Sequence, residues 1–320
     1  MTEAPPRRVA VIGAGTMGSG IALSFALAGS DVVLISRSPR TLAAARARME
    51  HSLELLVECG AASVGAVDRA LELLEVTTDL DHAPAGAELV LESVIEEPAV
   101  KQEVLARAER AAPAAVLATD TSSLSIDALA AALRRPEAFA GFHWFNPPEL
   151  VPLVEVIAGA ATAPDTVERL LAWARAAGKR PVHVRCDLEG FVANRLQYAL
   201  LREAFSLVER GICGYVDVDE AVRFGLGARW AAIGPFESLD LAGLDVHLAV
   251  ARRLYPSLSR GTEPAESVSR LVAEGALGCK TGRGLYGEYD DEAVTSLARR
   301  RARVLLALAR LEGDAGAPVA

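Results

Sequence analysis

Apolar and polar positions follow two rhythms along the first part of the chain. Short, mostly apolar runs at residues 9–12, 31–35, 87–94, 116–121, 139–145, 153–157 and 181–184 read as strands, and 76–79 reads as a short strand leading to a turn. Between them lie stretches with apolar residues three and four apart. The first holds Met17, Ile21, Ala22 and Phe25 and stops at Gly29. Others cover 40–59, 64–74, 98–111 and 164–177, and Pro98 and Pro164 stand where a helix tolerates proline best, in the first turn. Strands alternating with helices predict a mostly parallel, doubly wound sheet covered on both faces. Past Asp187–Gly190 the strand rhythm ends. Residues 191–210, 216–224, 239–254 and 292–311 read as helices, and no further strand is expected. The fold class is α/β: a doubly wound domain over 1–187, then an all-α domain over 188–320.

The first strand runs into Gly13, Gly15 and Gly18, spaced Gly-x-Gly-x-x-Gly, and Thr16 and Met17 open the helix behind them. After a buried strand and before a helix, this spacing is the dinucleotide-binding turn of a Rossmann-type domain. The free N–H groups of the helix start would receive the phosphates. The second strand ends in Ser36 and Arg37. An acid at that point accepts hydrogen bonds from the adenine ribose and repels a 2′-phosphate. Serine and arginine remove the repulsion, so the expected cofactor is NAD(P) with a leaning to NADP. The alternative is that Arg37 points into solvent and NAD is held by backbone groups alone.

Composition narrows the partners. With 51% apolar residues and a net charge of −9, the 320-residue chain reads as a soluble acidic globular protein. Its arginines are scattered among acids, which excludes a basic nucleic-acid face. No stretch near twenty residues lacks charge, so no membrane span is expected. The four cysteines, Cys59, Cys186, Cys213 and Cys279, are far apart and lack C-x-x-C spacing, which suits reduced thiols in a cytoplasmic protein and no metal site. Thr2–Arg8 is a short polar lead with two prolines rather than a signal peptide.

Among five histidines, His143 stands near a strand's carboxyl end, just before Asn146-Pro147-Pro148. Ligands of doubly wound sheets bind at that edge. Glu155 lies in the next strand among apolar neighbours, and a buried acid needs a partner such as this imidazole. A His–Glu pair gives a general base with a fixed tautomer, or it packs two segments and nothing more; spacing alone leaves both open. Ser122 and Ser123 also follow a strand, where by themselves they read as a helix N-cap. Asn194 opens the first helix of the second domain, and the glycine-broken loop at Lys280 is as readily a solvated turn.

These pieces, taken in order, resemble one family: the short-chain L-3-hydroxyacyl-CoA dehydrogenases, with the lambda-crystallin/L-gulonate 3-dehydrogenase group beside them. The similarity runs from Val9 to about Tyr286. It rests on Thr121-Ser-Ser-Leu124, His143-Trp-Phe-Asn-Pro147, Leu153-Val-Glu-Val156, Gly190-Phe-Val-Ala-Asn-Arg195, Gly234-Pro-Phe-Glu237 and Lys280-Thr-Gly-Arg-Gly284. The resemblance implies a helical C-terminal domain that makes a homodimer and closes a substrate cleft. It makes His143 the catalytic base and Glu155 its orienting acid. Ser122 and Asn194 would hold the substrate oxygen, and Glu96 and Lys101 would lie near the nicotinamide. The implied reaction interconverts a 3-hydroxyacyl thioester and its 3-keto form. The helix that meets the coenzyme A tail in such enzymes, here 41–59, carries only Arg46 and Arg48 as cations. A free 3-hydroxy acid, gulonate- or carnitine-like, is therefore the alternative substrate. A non-catalytic, crystallin-like dinucleotide-binding protein is the rival of another class.

Overall fold

The computed structural model describes residues 4–314; residues 1–3 of the polar lead and residues 315–320 lie outside that part. Two compact units divide the chain, one taking the residues up to Asn194 and those from Ala302 on, the other Arg195–Arg301.

The first unit follows the strand–helix rhythm. In order it contains β1 (Arg8–Ile12), α1 (Thr16–Leu27), β2 (Asp31–Ile35), α2 (Pro39–Glu58), α3 (Val64–Glu72), β3 (Leu74–Thr77) and β4 (Leu89–Glu92). Then come α4 (Pro98–Ala111), β5 (Val116–Thr119), α5 (Ile126–Ala130), β6 (Phe139–Trp144), β7 (Leu153–Ile157), α6 (Pro164–Ala176) and β8 (Arg180–Val184). The eight strands form one sheet in the order β3-β2-β1-β4-β5-β6-β7-β8. Its pairs are parallel except β6 with β7, which run antiparallel. The strand order reverses between β1 and β4, which opens a crevice at their carboxyl ends, the usual ligand position in such sheets.

Successive strand residues point to opposite faces. Val9 and Val11 join Ile21 and Phe25 of α1 and Leu42 and Met49 of α2 in one layer. Ala10 and Ile12 join Leu105 of α4 and Ile126 and Leu129 of α5 in the other. Burial on both faces of the inner strands explains why their runs are nearly continuous rather than alternating.

The second unit is helical: α7 (Ala193–Glu209), whose first residues belong to the first unit, α8 (Tyr215–Glu220), a π-helical stretch Ala221–Gly227 leading into α9 (Ala228–Ala232), α10 (Pro235–Ala242), α11 (Leu244–Leu254) and α12 (Glu266–Ala273). A small antiparallel hairpin follows, β9 (Arg283–Gly284) with β10 (Gly287–Glu288), then α13 (Asp291–Asp314). From Ala302 onward α13 belongs to the first unit, where Ala302, Leu305 and Leu306 pack with Leu55 and Leu56 of α2 and with Leu150. Three details depart from the sequence expectation. The helix read across 239–254 is two helices, because Gly243 takes φ +98° and ends the first. The eight-residue α12 follows Glu263-Pro264 without a long apolar stripe and escapes a periodicity reading. The hairpin has two residues per strand, too short for any alternation to show. No helix among the described residues is long and apolar enough to cross a membrane.

Candidate active site

The sheet's alternation decides where His143 points. Phe142 and Trp144 face the α1/α6 layer, so His143 between them faces the other side. Glu155, between Val154 and Val156, does the same on β7. Antiparallel register sets His143 directly opposite Glu155. Their side chains meet at 2.9 Å, Nδ1 to Oε2, with the histidine 5% and the glutamate 1% exposed. The other glutamate oxygen, Oε1, accepts from the backbone N–H of Val192 (3.0 Å) and Ala193 (2.9 Å), at the start of α7. Burial by itself would push the Glu155 carboxyl up; the bond to His143 and the two amides outweigh burial and hold it below its ordinary value. An ionised Glu155 fixes Nδ1 as the donor and leaves Nε2 for a substrate oxygen.

Phe191 supports this arrangement and was not singled out from the sequence. Its φ of +50° is in the left-handed region that a phenylalanine rarely adopts, and its side chain is buried. The ring lies 5.5 Å from that of His143, and the turn it forms delivers the next two amides, Val192 and Ala193, to Glu155.

Ser122 and Ser123 do not cap a helix. Ser125 caps α5, accepting from the Ala128 N–H at 3.1 Å, because the helix starts one residue after it. Ser122 and Ser123 turn to Glu96 instead. Glu96 Oε1 accepts from the Thr121 hydroxyl (2.6 Å), the amides of Ser122 (2.9 Å) and Ser123 (3.1 Å) and the Ser123 hydroxyl (3.0 Å); the Ser122 hydroxyl is more distant at 3.4 Å. Burial raises the Glu96 carboxyl, and the Thr121 hydroxyl, Lys101 and these other donors outweigh it, so the group is held low. Lys101 lies beneath, 1% exposed, with Nζ 2.8 Å from Glu92 Oε1 and 3.3 Å from Glu96 Oε2. Glu92 also accepts from the Thr119 hydroxyl at 2.7 Å. Of the pair Glu96 and Lys101, the glutamate is thus the one that reaches the surface. Asn194 comes to the same place, its Nδ2 donating to the Ser122 carbonyl at 3.4 Å.

The glycine turn fits a dinucleotide phosphate. Gly13 has φ +116°, and a Cβ there would lie 2.2 Å from the Ser93 carbonyl oxygen; at Gly18 it would lie 1.7 Å from that of Gly13. Around Gly15, by contrast, a Cβ would meet nothing within 4 Å. Thr16 and Met17 begin α1, whose first turn carries no acid and no side-chain cap, so its N–H groups are available to an anion. At the end of β2, the Ser36 amide donates to the Thr77 carbonyl (3.1 Å), and Arg37 is exposed. Among the described residues neither the Ser36 nor the Arg37 side chain has a hydrogen-bond or ionic partner.

Residues 8–187 match the profile described as 3-hydroxyacyl-CoA dehydrogenase, NAD binding domain, and residues 190–288 that of the 3-hydroxyacyl-CoA dehydrogenase C-terminal domain. The chain is similar to 5-formyl-3-hydroxy-2-methylpyridine 4-carboxylate 5-dehydrogenase of Mesorhizobium japonicum, with 38% identity over 96% of this chain and 99% of that one. It is similar to the 3-hydroxybutyryl-CoA dehydrogenase of Mycobacterium tuberculosis, with 39% identity over 88% of this chain and 98% of that one. Among solved structures, a 5-formyl-3-hydroxy-2-methylpyridine 4-carboxylic acid 5-dehydrogenase described as an NAD⁺ dependent dismutase aligns with a TM-score of 0.88 and 37% identity, covering 97% of this chain and 99% of the other.

Proposed function

The chain belongs to the 3-hydroxyacyl-CoA dehydrogenase family, and on that premise we propose that it interconverts the hydroxyl and keto forms of a 3-hydroxyacyl compound with His143 as its acid/base group. It is an oxidoreductase acting on CH–OH, with an NAD-binding domain. The observation that carries the reading is the buried His143–Glu155 pair at the carboxyl edge of the sheet. Bound NAD supplies the hydride acceptor. In oxidation, Nε2 of His143 takes the hydroxyl proton as the carbonyl forms, and Glu155 stabilises the imidazolium. Ser122 and Asn194 orient the substrate oxygen, so the reacting geometry is set beforehand. Glu96 lines the nicotinamide end, with Lys101 as the buried counter-charge that holds it. NAD is the first acceptor; the unpartnered Ser36 and Arg37 motivate NADP as the second.

A coenzyme A thioester is the first substrate class, after the relatives' names. Specific observations favour a free hydroxy acid as the second. Arg46 is paired with Glu50 at 3.7 Å, and Arg48 donates to the Ala14 carbonyl at 2.6 Å, so neither of α2's two candidate cations is idle. The end of α13 packs on α2, beyond the last residue of the C-terminal profile. The Mesorhizobium relative, named for a carboxylate, matches over 96% of the chain and so extends into α13. The test is steady-state kcat/KM for a panel of 3-hydroxyacyl-CoAs and free hydroxy acids, each with NAD and NADP. Turnover of thioesters alone upholds the first class, turnover of free acids alone replaces it with the second, and no turnover of either rejects the reading.

The second unit is the proposed dimer contact. Phe224, Phe236, Leu241 and Leu244 expose 60–81% of their surface on it, and large apolar side chains left this bare suit a subunit contact. Sedimentation equilibrium giving a monomer at micromolar concentration would reject this. A cytoplasmic setting is proposed on the four scattered cysteines, whose spacing suits reduced thiols.

A further inference from the structure

A carboxylate that the proposed chemistry does not use stands beside the pair. Asp120, just past the end of β5, is partly buried, and its backbone N–H donates to the Glu92 carbonyl at 2.8 Å. Its Oδ1 accepts from the N–H of Trp144, the residue after His143, at 2.9 Å. Its Oδ2 accepts from the Ser93 hydroxyl at 3.0 Å. Ser93 in turn donates its N–H to Ile12 at 2.7 Å and places its carbonyl against Gly13, the first glycine of the dinucleotide turn. Asp120 thus ties the strand that holds the histidine to the turn that holds the phosphates.

We propose that Asp120 is a positioning residue for proton transfer, fixing the His143 end of β6 against the dinucleotide turn and adding a second negative charge near the imidazolium. An asparagine would accept from Trp144 equally well and could donate to Ser93, so hydrogen bonding does not call for a carboxylate here. Charge is what the carboxylate adds, and placing it here is costly: burial pushes the group up to about 7 despite the Trp144 and Ser93 donors. The charged groups around it are His143 on β6 and Lys101 on α4. Lys101 is already shared between Glu92 and Glu96, and α1 carries no ionisable side chain. Glu155 lies on the far side of His143. The imidazolium is therefore the cation near Asp120 whose charge appears and disappears during reaction. When His143 takes the substrate proton, its positive charge draws Asp120 toward the ionised form.

This inference rests on His143 being the acid/base group, which the kinetics of His143→Ala test separately. Its own test is the pH profile of kcat/KM for alcohol oxidation by the intact enzyme. In Asp120→Asn the acid limb moves to lower pH, because the imidazolium loses a neighbouring charge. Ser93→Ala, which weakens the hold on the ionised form, moves it the same way by less. Should Asp120→Asn fail to fold, the Ser93 variant decides. An acid limb that stays in place in a folded variant, while His143→Ala is inactive, overturns the role of Asp120 and leaves the general reading intact. If His143→Ala is active, the general reading itself has failed.

Discussion

His143 and Glu155 are direct cross-strand partners on the one antiparallel pair of an otherwise parallel sheet, and their side chains meet at 2.9 Å. Strand register rather than a loop thereby sets the pair proposed as general base and orienting acid. Glu155→Gln should keep the fold yet lose about 10²- to 10⁴-fold in kcat, since an amide cannot stabilise the imidazolium and can reverse the ring tautomer. Circular dichroism and steady-state turnover check this. A variant within about tenfold of wild type would assign the pair to packing.

The two glycines of the turn should part company. Alanine at Gly15 meets nothing within 4 Å, so the unfolding midpoint of Gly15→Ala stays where it is, while its Kd for NAD rises at least about tenfold, a loss of about 1.4 kcal/mol. Alanine at Gly13 would clash with the Ser93 carbonyl and sit at φ +116°, so that variant loses stability as well. Calorimetric titration and thermal melts separate the cases; unchanged NAD affinity in Gly15→Ala would place the phosphates elsewhere.

Much of this was legible because it is local. The run at 9–12, the glycine spacing behind it and the helix start at Pro98 depend on neighbours in the chain. The partnership of His143 and Glu155 was suggested by chemistry, an acid among apolar neighbours needing a proton donor, but register is a long-range property that no local pattern prints. Ser122 and Ser123 drew attention as a helix cap, and their true partner, Glu96, is more than twenty residues away. Phe191 stands inside the Gly190–Arg195 motif, yet nothing local marks its role, because its left-handed φ is unusual for that residue type and belongs to the turn into α7. Asp120 reads in sequence as an ordinary polar residue after a strand; only the adjacency of β5 and β6, with the Trp144 N–H on its carboxylate, brings it next to His143.

Phe191→Ala should cost about 3–5 kcal/mol by urea unfolding, the range for emptying a buried phenylalanine site. It should also lower kcat, since the ring beside His143 and the turn aiming two amides at Glu155 are lost together. Full activity in a folded variant would confine Phe191 to packing.

Stability should depend on pH through two carboxyls of opposite sign. Asp120 is raised from 3.8 to about 7, so the native state holds a proton that the unfolded chain releases. Its contribution therefore declines as pH rises from about 4 to about 7 and stays low above that. Glu155 is lowered, so its contribution is present above the ordinary glutamate range and is lost as pH falls through its native value. Asp120→Asn should gain stability over wild type at pH 8 relative to pH 5, by roughly 1–2 kcal/mol. Denaturant unfolding at the two pH values measures it, and an equal difference at both would contradict the assignment.

The central claim is that His143 moves the proton. The most direct measurement is kcat of His143→Ala with NAD and the best substrate of the panel, alongside NAD affinity by calorimetric titration. If His143 moves the proton, turnover falls by about 10²- to 10⁴-fold while dinucleotide binding is retained. Turnover near that of wild type would contradict it.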